Sequence, residues 1–200
     1  MTLHLTGTTT RALNVSSYDY LGFAQTQGPY ADAVEVGLRK YGVSTCGPRL
    51  ESGTTDLHVQ AEWLVAKFLG TEDAILVSMG FAANSTNLPG LVDRGCLAIS
   101  YEYNHQSVHY GARISGAHVR TFKHNDMNSL EALLREVISQ GQPRTHRPWK
   151  KILVVVEGLH SMEATIDLPS LSQLKGRYKV CVFFRYVWHI VWNIPVLSVY

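Results

Sequence analysis

Apolar residues recur along this chain with two different periods, and the change from one to the other marks its organisation. In the first third the spacing is helical. Ala33, Val34, Val36 and Leu38 predict a helix over about 30–41, with Gly42 as its stop. A second apolar stripe, Leu57, Ala61, Leu64, Val65 and Phe68, predicts a helix that runs to about residue 69 and ends at Gly70. Thr55 or Asp56 can cap it. Beyond that point short apolar runs take over. Strands are expected at 74–78, 96–100, 118–122 and 151–156, with helices at about 81–92, 105–115 and 129–139, the last capped by Asn128. The run from Ile152 to Val156 is uninterrupted and rich in β-branched residues, which predicts a strand covered on both faces. Strands alternating with helices through short loops imply a mostly parallel, doubly wound α/β sheet with flanking helices.

Composition agrees with a folded chain. Hydrophobic residues make up 46% and charged residues 17% of 200, enough apolar material for a real core. A net charge of +2 argues against an extended nucleic-acid-binding face. Cys46, Cys96 and Cys181 have no paired spacing, so neither a disulfide framework nor a zinc cluster is expected. The first residues hold no basic segment followed by an apolar core, so a signal peptide is not expected.

Candidate chemistry gathers at turns that follow strands. Ser78-Met79-Gly80-Phe81-Ala82-Ala83-Asn84 reads as strand, glycine turn and helix N-terminus, where free amides and the helix dipole favour a phosphate. His105 follows the strand at 96–100, at the ligand-binding edge of a parallel sheet, where an imidazole can stack on a flat ring. Ser161 follows the strand at 151–156. It lies outside a Gly-x-Ser-x-Gly elbow, which favours a hydrogen bond to a ligand over nucleophilic attack. His105 and His109 share i, i+4 spacing, and Glu102, His118 or His124 could complete a metal set. Position 106 is Gln, however, where the zinc motif needs Glu, and no metal is expected. Residues 143–151 are basic with one Trp and read as a solvated loop, with an acidic partner or a membrane surface as the alternative.

Taken together, Tyr18-Asp19-Tyr20-Leu21-Gly22, Ser52-Gly53-Thr54-Thr55-Asp56-Leu57-His58, Gly80-Phe81-Ala82-Ala83-Asn84, Asn104-His105 and Ser161-Met162-Glu163 resemble the motifs of the α-oxoamine synthase family, in order and at suitable spacing. The resemblance implies an incomplete fold type I PLP-transferase large domain. It implies pyridoxal 5′-phosphate (PLP) as cofactor, with Gly80 and Phe81 by its phosphate, His105 stacked on its ring and Ser161 facing the ring's phenolic oxygen. The run from Gly141 to Ile152 points to the branch that condenses L-serine with a fatty acyl-CoA to a 3-keto long-chain base. That branch works with a homologous first subunit on the cytosolic face of the endoplasmic reticulum membrane. The implied organisation is an N-terminal arm at 1–28, a partial large domain at 29–180 and an aberrant hydrophobic tail at 181–200.

Two departures from the family pattern stand out. Arg185 falls where the resemblance calls for the Asp that pairs with the pyridine nitrogen; a cation there opposes the ring's positive charge. None of Lys40, Lys67, Lys123, Lys150, Lys151, Lys175 and Lys179 stands where the family places the lysine that tethers PLP. The chain is therefore expected to be a truncated form, inactive alone. The rival expectation is a non-catalytic fragment that at most binds the partner subunit. The tail reads as an out-of-frame or retained-intron product, with a divergent strand at 180–184 and a membrane segment as alternatives.

Overall fold

The computed structural model describes residues 7, 8, 13, 19, 22–158 and 166–185, Arg185 by its backbone only. Most of the arm, Ser161 and the tail beyond residue 185 lie outside the described residues. The chain divides into two compact units, Met1–Asp56 and Leu57–Tyr200.

In the first unit α1 (Pro29–Tyr41) opens with proline, whose missing N–H costs nothing in a first turn. It closes at Gly42, where φ is +76° and the amide donates to the Leu38 carbonyl at 2.9 Å. Asp56 accepts hydrogen bonds from the Tyr41 hydroxyl and from Lys40.

The second unit is built on a four-stranded parallel sheet in the order β2-β1-β3-β4. After α2 (Asp56–Leu69), helices and strands alternate: α3 (Gly80–Leu91), β1 (Leu97–Tyr101), α4 (Gln106–Ile114), β2 (His118–Phe122), α5 (Met127–Gln140), β3 (Ile152–Glu157), α6 (Leu168–Tyr178) and β4 (Cys181–Arg185). Side chains alternate faces along a strand. Leu97, Ile99 and Tyr101 of β1 therefore join Val154 and Val156 of β3 beneath Leu130, Leu134 and Val137 of α5 and Leu171 and Leu174 of α6. On the other face Leu153 and Val155 pack with Leu88 of α3 and Val108 of α4.

The connections make a crevice. The chain steps from β1 outward to β2, then returns past β1 to β3. Crossovers of one hand put helices on opposite faces when the direction reverses. α4 accordingly packs on one face and α5 on the other. The reversal marks the place, beyond the carboxyl ends of β1 and β3, where such sheets have their ligand crevice.

Four expectations are corrected or extended. Residues 74–78 form no strand. The Leu76 amide donates instead to Glu62 Oε1 of α2 at 2.7 Å, a side-chain partner rather than a neighbouring strand. The α5 cap is Asp126, not Asn128; its Oδ1 accepts from the Ser129 amide at 2.8 Å. α6 was not legible as a helix, although Asp167 caps it and Pro169 sits in its first turn. Cys181–Arg185, the start of the expected tail, forms β4 in parallel register with β3.

The basic loop is tied to the body. Gly141 ends α5 at φ +67°, and a Cβ there would lie 2.6 Å from the Arg147 carbonyl. The Trp149 indole donates to the Val137 carbonyl at 2.8 Å, Lys150 pairs with Asp93 at 3.3 Å, and Lys151 donates to the Leu91 carbonyl at 2.9 Å. All this lies at the amino ends of the strands, away from the crevice.

Candidate functional site

α3 begins without a cap. Met79, at the capping position, is extended and offers no side-chain acceptor, and the first turn carries no acid. The Ala83 amide is the first to find a helical partner, the Met79 carbonyl at 3.1 Å. The amides of Gly80, Phe81 and Ala82 have no hydrogen-bond partner among the described residues. A Cβ built on Gly80 would meet nothing within 4 Å among the described residues. Three free donors at the positive end of a twelve-residue helix fit an anion.

His105 stands beside this turn. Its ring centroid is 6.5 Å from that of Phe81, at 75°, and Phe81 also lies 5.8 Å from the Tyr110 ring. His105 caps α4, its Nδ1 accepting from the Ser107 amide at 3.1 Å. Ser107 Oγ lies 2.7 Å from the same nitrogen and accepts from Asn84 Nδ2 at 2.8 Å. The His105 amide donates to Glu157 Oε1 at 3.1 Å, which ties the turn after β1 to the end of β3. Asn104 strengthens the tie, its Nδ2 donating to Ser100 Oγ at 2.9 Å and to the Val155 carbonyl at 2.8 Å. Asn104 Oδ1 is buried with no partner among the described residues.

Gly80, Phe81 and His105 are thus brought to one crevice; Ser161 lies outside the described residues. Among the described residues no group of three His, Cys, Asp or Glu gathers as a metal set. His105 instead spends its Nδ1 on the α4 cap, and His109 lies one turn on. Sequence reasoning assigned no role to Asn84, Ser107 or Glu157. The signal for Glu157 was present: a lone carboxylate ends an apolar strand, and it is 3% exposed. For Ser107 the signal was a hydrogen-bonding residue two places after a ring that can cap.

The crevice can hold an anion on backbone donors and a flat ring near an imidazole. Every lysine of the chain is described. Lys150 and Lys151 precede β3, and Lys175 and Lys179 precede β4, all at the far edge. Lys40 and Lys67 lie on α1 and α2, and Lys123 follows the outer strand β2.

Comparison with known proteins places the chain in a family. The chain is 56% identical over 183 residues to serine palmitoyltransferase 2 of Schizosaccharomyces pombe, covering 91% of this chain and 30% of that protein. It is 55% identical over 178 residues to serine palmitoyltransferase 2 of Kluyveromyces lactis, covering 88% and 32%. It thus spans about a third of the length of these relatives. Among solved structures, a serine palmitoyltransferase variant from S. paucimobilis with bound PLP–myriocin aldimine superposes with a TM-score of 0.73 at 28% identity, over 84% of this chain and 41% of that one. Residues 10–184 match the model of aminotransferase class I and II, and the chain belongs to that family.

Proposed function

We propose that this chain is the cofactor-holding part of a serine palmitoyltransferase-type subunit, whose whole protein condenses L-serine with a fatty acyl-CoA. The observation that carries the reading is the uncapped start of α3 beside His105 at the crevice of the sheet. The amides of Gly80, Phe81 and Ala82 would hold the phosphate of PLP, and the His105 ring would lie against the cofactor's face. Ser161 would hydrogen-bond the ring oxygen. When bound, PLP supplies an electron sink for bond breaking at the amino acid's α-carbon.

The residues of this chain bind and orient. Glu157 and Asn104 fix the turn that carries His105, and Phe81, packed on Tyr110, stands beside the His105 ring. Arg185, on β4 in register with Glu157, replaces the carboxylate that the resemblance calls for at the pyridine nitrogen. With none of its lysines where the family resemblance places the tether, the 200 residues would bind PLP without a covalent link and would not turn over substrate by themselves. The partner would be the homologous first subunit of serine palmitoyltransferase, on the cytosolic face of the endoplasmic reticulum. Among the described residues no helix is long and apolar enough to cross a membrane.

PLP titration followed by borohydride reduction and peptide mapping tests this. The expected result is a saturable change in PLP absorbance, reversed by inorganic phosphate, with no lysine adduct. An adduct at one lysine would contradict it, as would turnover of serine and a fatty acyl-CoA by the chain purified free of any homologous subunit.

A further inference from the structure

We infer that Asn84 and Ser107 are positioning residues that hold the His105 imidazole in its Nε2–H tautomer, leaving Nε2–H as the donor offered to the crevice. The tautomer follows from the protein alone; its use toward a cofactor rests on the PLP reading above.

The direction of the hydrogen-bond chain is set by the backbone. Three groups meet in sequence: Asn84 Nδ2 to Ser107 Oγ at 2.8 Å, Ser107 Oγ to His105 Nδ1 at 2.7 Å, and the Ser107 amide to the same Nδ1 at 3.1 Å. A side-chain amide can turn over and a hydroxyl can rotate, so the first two contacts alone run either way. The peptide N–H cannot be reversed. It is an orphan donor in the first turn of α4, and Nδ1 is its acceptor. A proton on Nδ1 would set two N–H groups against each other and leave the amide without a partner. Nδ1 therefore carries the lone pair, the hydroxyl donates to it, and Asn84 donates to the hydroxyl. The proton sits on Nε2, which has no partner among the described residues.

Burial makes the arrangement firm. Asn84 is 3% exposed and Ser107 fully buried, so water does not compete for either. Gly111 sets the spacing. A Cβ there would lie 2.7 Å from the Asn84 carbonyl and 3.1 Å from Ser85 Cα, so α3 approaches α4 closely enough for Asn84 to reach Ser107 only because position 111 has no side chain.

The test reads the tautomer directly. The chain is labelled with 15N-histidine, and long-range proton–nitrogen correlations are recorded at a pH of about 8.5, where an ordinary imidazole is neutral. His105→Gln assigns the signal. The expected result is a bare Nδ1 and a protonated Nε2. Ser107→Ala removes one of two donors to Nδ1 and should lower the Nε2–H to Nδ1–H ratio by about 2- to 10-fold, the weight of one net hydrogen bond. Asn84→Asp replaces the donor by an acceptor, so the hydroxyl turns toward it and accepts from Nδ1–H; the ratio should fall below that of Ser107→Ala. The double variant should return to the Ser107→Ala value, because no hydroxyl remains to relay the change. A packing role for Asn84 would not be undone in this way.

An Nδ1–H tautomer in the unmodified chain overturns the inference. So does an unchanged ratio in Ser107→Ala, which decides the matter even if Asn84→Asp fails to fold. PLP absorbance on the same samples separates the two readings. The expected tautomer without PLP binding sinks the cofactor reading alone, and PLP binding with an Nδ1–H ring sinks the positioning inference alone.

Discussion

Four helices of the second unit start at the same edge of the sheet, and three differ from the fourth. α4, α5 and α6 are each closed by a side chain: His105 Nδ1 takes the Ser107 amide, Asp126 the Ser129 amide and Asp167 the Ser170 amide. α3 has Met79 where those helices have an acceptor. A missing cap costs about 0.5–2 kcal/mol, so a helix without one leaves stability unused. That gap lies beside the crevice where the strand order reverses, which is where a ligand anion would supply the cap. The ends of α5 and α6 serve the fold, and the cap of α4 also carries His105; the start of α3 has no side-chain cap among the described residues.

The comparison is broken most severely at the contact that brings α3 to α4. Gly111→Val would drive a branched side chain into the Asn84 carbonyl and Leu88. Overpacking of this kind costs about 1–3 kcal/mol. Denaturant unfolding should show that loss, together with weaker PLP binding and loss of the Nε2–H tautomer. A variant of unchanged stability would mean that the two helices do not depend on close approach.

Next in size is the removal of a cap. Asp126→Ala should cost about 1 kcal/mol and leave PLP binding unchanged, since α5 packs on the face away from α3. Met79→Asp is the opposite experiment. It gives α3 an acceptor and a favourable charge for the helix dipole, worth about 0.5–1 kcal/mol of added stability, while the new carboxylate repels a phosphate. Higher stability with unchanged PLP affinity would show that the start of α3 is not the anion site.

The smallest effect is electrostatic and belongs to the helices that serve the fold. Glu131 on α5 accepts from Arg135 and from the Tyr178 hydroxyl, each at 2.8 Å, and from Arg177 at 2.8 Å. The Arg135 contact, then the Tyr178 hydroxyl, hold its carboxyl down at about 2. A depressed carboxylate stabilises above its unfolded value and loses that contribution as pH falls toward its folded one. Unfolding midpoints should therefore drop between pH about 4.5 and about 2, and Glu131→Gln should flatten that limb slightly. Because the pair is surface-accessible, salt should reduce the difference.

Much of this was legible in the residues, for reasons that differ by element. Continuous apolar runs announce buried strands, and β1, β2 and β3 fall within one residue of their expected places. Residues 74–77 have the same character but gain no ladder, since a run of apolar residues does not encode which strand it will lie beside. α6 was hidden because Leu171 and Leu174 are its only buried positions, too few to register as a stripe. At the site, Gly80, Phe81 and His105 could be placed by their position after strands and by family resemblance. The Asn84–Ser107 contact joins residues 23 apart through helix packing, and no local pattern shows it. The paired position of Arg185 and Glu157 likewise depends on register, which the parallel sheet sets only once β4 is docked.

The most direct test follows the backbone amides of the chain by NMR during a PLP titration, with inorganic phosphate as a parallel titrant. Gly80, Phe81 and Ala82 should shift first and furthest with both, His105 should respond to PLP alone, and Met79→Asp should abolish the shifts. Shifts centred on the basic loop at 143–151, or an α3 start that stays silent while PLP binds, would contradict that expectation.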